Sequence, residues 1–166
     1  MFKNEKRSID EIVFHEDEVK LAKKMMDSLR TTVEFLYYMM EHRGQSSFTI
    51  IMLSSDDTRL EHLLHKWKRK TDVLIEVDEI NNIYVIICQA TDKEGGEKFG
   101  EILISNINMH GSKVTYCVEA ELTNVGYSIQ EVIFNIVEKY IIVKQEKKFN
   151  KVFFTRFKKN KYEVFV

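Results

Sequence analysis

The stretch RKTDVLIEVDEINNIYVIICQ, Arg69 to Gln89, decides the fold. A basic helix end passes into a β-branched and apolar run, then a polar turn, Asp78-Glu79-Ile80-Asn81-Asn82, then a second and more apolar run. Two such runs around a short Asp- and Asn-rich segment read as an antiparallel hairpin. What flanks the hairpin sets the topology.

Upstream, SFTIIMLSS (Ser47 to Ser55) is a short apolar, β-branched run, hence a buried strand. A polar turn at Asp56-Asp57-Thr58 and a helix from Arg59 to Lys70 join it to the hairpin. Downstream, Thr91 and Glu94 stand at capping-box spacing before a helical pattern through Phe99, Ile102 and Leu103. SKVTYCVEAEL (Ser112 to Leu122) reads as a strand, and Ser128 caps a helix through Ile129, Val132, Ile133, Ile136, Val137 and Tyr140 to about Lys147. KVFFTRF and YEVFV close the chain as strands. The first six elements run βαββαβ, so the expected class is α+β: a ferredoxin-like core, its antiparallel sheet covered by helices on one face, with an extra C-terminal helix and strands.

The N-terminal part divides into a polar tail over 1–15 and a helix over 16–43, with one globular domain over 45–166. Leu29, Val33, Leu36 and Met40 repeat at helical spacing, Leu21 and Met25 extend the stripe, and Gly44 stops it. At 1.5 Å per residue this helix is roughly 40 Å long. Such a stripe suits a homodimer through residues 18–40; the alternative is that it folds back on its own sheet, because Tyr37, Tyr38 and Met39 widen the apolar face.

The 166 residues, 44% hydrophobic, can fill one core. Lysine plus arginine number 25 and aspartate plus glutamate 26, so no overall field commits the chain to nucleic acid or an anionic membrane. No apolar run approaches the roughly 20 residues of a membrane span, and the N-terminus lacks a signal-peptide core. Cys88 and Cys117 sit singly in apolar runs, which reads as reduced buried thiols and a cytoplasmic location.

From this point the chain resembles the GGDEF domain, the nucleotide cyclase-like family whose active members join two GTP molecules into cyclic di-GMP. RKTDVLIEV is similar to the family's Arg-x-x-Asp and following strand, and counting on from Asp72 places Asp78-Glu79-Ile80-Asn81-Asn82 in the signature slot. YVIICQATDKEGGEKFGEIL, KVTYCVEAEL and SIQEVIFNIVEKYIIVKQEKKFNKVFF resemble the later elements, so the likeness covers about residues 47–154. Phosphoryl transfer requires carboxylates that hold divalent metal. The resemblance puts those two positions on Ser54 and Asn81, and the paired glycines on Asp78 and Glu79, which add negative charge where triphosphate would lie. Only about 15 residues separate Asp56 from Asp72, too few for the family's guanine-binding loop. The implied protein is not an enzyme and needs no cofactor; it acts by binding.

Arg69-x-x-Asp72 survives, and in the resembling family this motif binds cyclic di-GMP, the Arg offering a planar fork and the Asp accepting from guanine. Lys66, Lys68 and Lys70 would assist an anion. Cyclic di-GMP or a protein partner in a bacterial signalling system are the expected ligands. The competing reading is a ferredoxin-like interaction module unrelated to cyclic dinucleotides, binding protein or RNA, for which exposed aromatics on the sheet would be the mark.

Lesser features take structural readings. Asp56, Asp57, Asp78 and Glu79 form a solvated turn and hairpin tip rather than a metal site, and His62 and His65 share a helix face with packed leucines. Gly95-Gly96 lacks the spacing of a phosphate loop and suits close helix packing. Between Lys144 and Lys161 eight basic residues alternate with Phe149, Phe153, Phe154 and Phe157, as a half-buried edge strand requires; single-stranded nucleic acid is the lesser reading.

Overall fold

Every residue of two strands is buried on both faces, and this continuous burial shapes the molecule. The computed structural model describes residues 2–56 and 58–157, with side chains from Glu16 onward. In chain order the elements are α1 (Phe2–Arg43), β1 (Phe48–Ser55), α2 (Leu60–Trp67), β2 (Val73–Asp78), β3 (Ile83–Cys88), α3 (Lys93–Met109), β4 (Thr115–Leu122), α4 (Ile129–Gln145) and β5 (Val152–Phe154). The sheet order is β2-β3-β1-β4-β5. The first four strands pair antiparallel, which is the ferredoxin-like arrangement. β5 then adds parallel to β4, Val118 opposite Phe153, after the crossover through α4.

Helices cover both faces of this sheet, not one. Alternation along β1 sends Phe48, Ile50 and Met52 toward α1 and α4, and Ile51 and Leu53 toward α2 and α3. On the first face they meet Met25, Leu29, Val33 and Leu36 of α1 with Val132, Ile136 and Val137 of α4; on the second, Leu60, Leu64, Leu103 and Ile107. The unbroken apolar runs of β1 and β3 are the physical reason. A sheet with one wet face alternates polar and apolar residues, whereas one covered on both faces does not.

The helical stripe expected to pair with a second copy is therefore consumed within the chain. Met25, Leu29 and Val33 are each fully buried against the protein's own sheet. The helix also begins at Phe2, so the stretch read as a tail continues it; no Gly or Pro falls between Phe2 and Arg43 to stop propagation. The capping box was misplaced by one residue. Asp92, not Thr91, caps α3, its carboxylate accepting from the Gly95 amide at 2.8 Å. Ser128 caps α4 as expected, accepting from the Glu131 amide at 3.1 Å. The expected strand YEVFV lies outside the described residues.

Against α3, β4 carries an ionisable group into the core. Glu119 is fully buried, its Oε2 accepting from the Cys117 thiol at 3.8 Å while Oε1 has no hydrogen-bond partner among the described residues. It fits because Gly96 and Gly100 leave room for its carboxyl; a Cβ at Gly96 would stand 2.7 Å from Oε1. Burial above all, with the charges of Glu97 and Glu101, pushes its pKa up to about 9. Burial likewise raises the thiols of Cys88 and Cys117, leaving them unreactive at neutral pH.

Candidate functional site

Where β1 ends and the β2–β3 hairpin turns, the two strand ends bring the signature slot beside Ser54, which pairs with Ile83 across the sheet. Ser54 points into the core, and its Oγ accepts a hydrogen bond from the Tyr140 hydroxyl of α4 at 2.7 Å. Burial raises the pKa of Tyr140 to about 12, so it stays protonated as the donor. A hydroxyl committed in this way is no metal ligand.

The hairpin tip is bonded just as closely. Asp78 is buried, and its carboxylate accepts from the Asn81 amide at 3.1 Å, the Asn81 side chain at 2.7 Å and Lys24 of α1 at 2.9 Å. Burial alone would raise the Asp78 pKa, but the bonds from Asn81 and Lys24 outweigh it and hold the group at about 2. Asn82 adopts a left-handed backbone with φ of 56°, a conformation Asn tolerates. Its side chain donates to the carbonyls of Ser55 at 2.8 Å and Thr58 at 2.6 Å, and accepts from the Leu60 amide at the start of α2 at 3.2 Å. The tip is thus fastened to α1, to the β1 end and to α2 by its own side chains.

Beside it lies a cleft of about 360 Å³ whose walls include Asp56, Glu61 and Glu79 against Arg59 and Lys144. Three carboxylates against two cations make poor lodging for a triphosphate. Among the described residues no group of three or more His, Cys, Asp or Glu side chains is placed to hold a metal ion; Asp57 lies outside them. His62 and His65 are exposed on α2.

The structure also brings Arg69 and Asp72 together, but onto each other. Asp72 has a wholly buried side chain, while that of Arg69 is 52% exposed. Arg69 Nη2 lies 2.8 Å from Asp72 Oδ1, its Nε donates to both carboxylate oxygens at 3.0 and 3.2 Å, and its backbone amide donates to Oδ2 at 2.9 Å. Nη2 reaches on to Thr91 Oγ1 at 2.7 Å and the Gln89 carbonyl at 3.2 Å. The pair thereby ties the α2–β2 connection to the β3–α3 loop. About half of the Arg69 side chain remains open to solvent.

Sequence reading did not anticipate Lys24, Tyr140 or Glu119. Tyr140 counted only as a position on an apolar stripe, and Lys24 lies 54 residues from its partner. The one local signal for Glu119 was the pair of glycines four apart on α3, at 96 and 100.

Neither a family model nor a curated protein matches this chain. Solved structures do. A microbial GGDEF domain described in a novel interaction mode with bis-(3′,5′)-cyclic di-GMP superposes with a TM-score of 0.57 at 12% identity, over 72% of this chain and 86% of the other. The active GGEEF domain of a diguanylate cyclase from Vibrio cholerae superposes with a TM-score of 0.52 at 10% identity, over 72% of this chain and 89% of the other. The chain therefore has the fold of GGDEF domains, with Ser54 and the hairpin tip held by its own hydrogen bonds.

Proposed function

We propose that this protein is a catalytically silent GGDEF-like domain that acts as a binding module. The observation that carries the reading is the internal use of the slot where metal and nucleotide chemistry is done in the resembling family: Ser54 is bonded to Tyr140, and Asn81 is bonded to Asp78. Restoring a metal site there would require breaking buried hydrogen bonds, not simply filling an open one.

Two ligand classes fit a silent domain, a protein partner or cyclic di-GMP. In favour of the second, Arg69 is held rigidly by Asp72 yet keeps half its side chain open, a preorganised fork for a phosphate or guanine edge. Asp72 would orient Arg69 instead of touching the ligand. RNA binding on an open sheet face is disfavoured, because α1 and α4 cover one face and α2 and α3 the other. The aromatics of the basic C-terminal segment are likewise in use: Phe149 packs on Tyr116, Phe157 on Tyr127, and Lys93 lies over Phe154.

Calorimetry with cyclic di-GMP on the intact chain and on Arg69→Ala tests the dinucleotide reading. Binding that falls by roughly tenfold or more in the variant is expected, since a charge-assisted contact contributes about 1.5–3 kcal/mol. Absence of binding by the intact chain rejects cyclic di-GMP and leaves a protein partner. Unchanged binding in the variant places the site elsewhere.

A further inference from the structure

The turn from Lys68 to Asp72, where α2 hands over to β2, has already engaged its acceptors. A carboxylate offers about four lone-pair directions, and those of Asp72 receive Arg69 Nε at 3.0 and 3.2 Å, Arg69 Nη2 at 2.8 Å and the Arg69 amide at 2.9 Å. The Asp72 side chain has no exposed surface through which a ligand could reach it. Three carbonyls of the turn are engaged as well. That of Arg69 accepts from the Asp72 amide at 3.1 Å, that of Thr71 from the Gln89 side chain at 2.9 Å and that of Asp72 from Lys68 Nζ at 3.2 Å.

Donors remain. Arg69 Nε and Nη2 turn inward to Asp72, Thr91 and the Gln89 carbonyl, whereas no oxygen of a described residue accepts from Nη1. Lys68 Nζ gives N–H groups to the carbonyls of Arg69 at 3.5 Å and Asp72 at 3.2 Å, and an ammonium has a third to offer. Guanine presents both kinds of group: O6 and N7 accept, but the amino and ring N–H groups on its other edge donate and need an acceptor. A phosphodiester presents acceptor oxygens only, and its charge makes each bond from a guanidinium or ammonium charge-assisted. The turn therefore complements the phosphate, and the guanine edge that an open aspartate would read finds no partner in Asp72.

We infer that the Arg69 turn takes a cyclic purine dinucleotide by its phosphodiester and does not distinguish guanine from adenine. Asp72 is a positioning residue that fixes the guanidinium, a role that departs from the one implied by the resemblance, in which the Asp accepts from guanine. This rests on the reading of Arg69 as the cyclic dinucleotide contact, and narrows what that contact recognises.

Calorimetry with cyclic di-GMP and cyclic di-AMP, which share the phosphodiester ring and differ in the bases, tests it on the intact chain, Arg69→Ala and Asp72→Asn. The two affinities are expected to agree within about threefold in the intact chain, and both to weaken by roughly tenfold or more in Arg69→Ala. In Asp72→Asn both are expected to fall by the same factor, because a residue that only orients Arg69 acts on the two ligands alike. A preference of the intact chain for cyclic di-GMP of tenfold or more, or a loss in Asp72→Asn confined to cyclic di-GMP, overturns the inference and leaves Arg69 standing as a cyclic di-GMP contact. Absence of binding by both dinucleotides, or binding unchanged in Arg69→Ala, overturns the inference and that reading together. Should Asp72→Asn lose its cooperative melt, the ratio of the two affinities in the intact chain decides.

Discussion

The Tyr140 hydroxyl donates to Ser54 Oγ at 2.7 Å inside the core, joining α4 to the end of β1 across 86 residues of chain. Tyr140→Phe leaves the Ser54 hydroxyl buried without that donor, a loss of about 1 kcal/mol. A melting point lower by about 2–4 °C is expected for a protein of this size. In the Ser54→Ala background the same substitution is expected to cost measurably less. Equal losses in both backgrounds would show that the two groups are not coupled.

Glu119 makes stability depend on pH in an unusual direction. In the unfolded chain its carboxyl loses its proton near 4.5, and in the folded protein only near 9. The contribution of the group is complete below 4.5 and declines as pH rises toward 9, by about 1.4 kcal/mol per pH unit. At pH 7 the folded state has forgone roughly 3 kcal/mol. Glu119→Gln, which keeps the shape, is expected to stabilise the protein, with a gain over the unaltered chain that grows between pH 5 and pH 8.5 in urea melts. A constant difference across that range would rule out a protonated Glu119 in the native state.

The N-terminal helix is part of the core, and removing it should show this. Met25, Leu29, Val33 and Leu36 are buried against the sheet, each contributing about 1.5–3 kcal/mol. Their sum, roughly 6–12 kcal/mol, matches the whole stability of an ordinary domain, about 5–15 kcal/mol. A chain starting at Gln45 is expected to lose cooperative thermal melting followed by circular dichroism. A sharp transition near that of the full chain would mean that α1 is dispensable.

The order of elements from Phe48 to Phe154 and the position of the hairpin tip were legible because each rests on local pattern, period or turn chemistry, whereas the burial of Asp78 within that tip and the bonding of Asp72 to Arg69 were not. The placement of α1 was not. A helical apolar stripe looks the same whether it meets its own sheet or a second copy, and only the two-faced burial of β1 and β3 settles that choice. Glu119 was missed because a glutamate between Val118 and Ala120 reads as the wet side of a strand. Its receptacle, Gly96 and Gly100, becomes meaningful only once α3 lies over β4. Lys24 and Asp78 meet through the tertiary fold, which no short-range rule reaches.

The central claim is that a GGDEF-type fold persists here without its chemistry, and product formation tests it most directly. The purified 166-residue chain, incubated with GTP and either Mg²⁺ or Mn²⁺, is expected to yield no cyclic di-GMP by chromatography above a control lacking protein. The committed Ser54 hydroxyl and the amide of Asn81 stand where the resembling family has its metal-holding carboxylates, and among the described residues no group of three or more His, Cys, Asp or Glu side chains is placed to hold a metal ion. Cyclic di-GMP accumulating in proportion to the protein added would contradict the account.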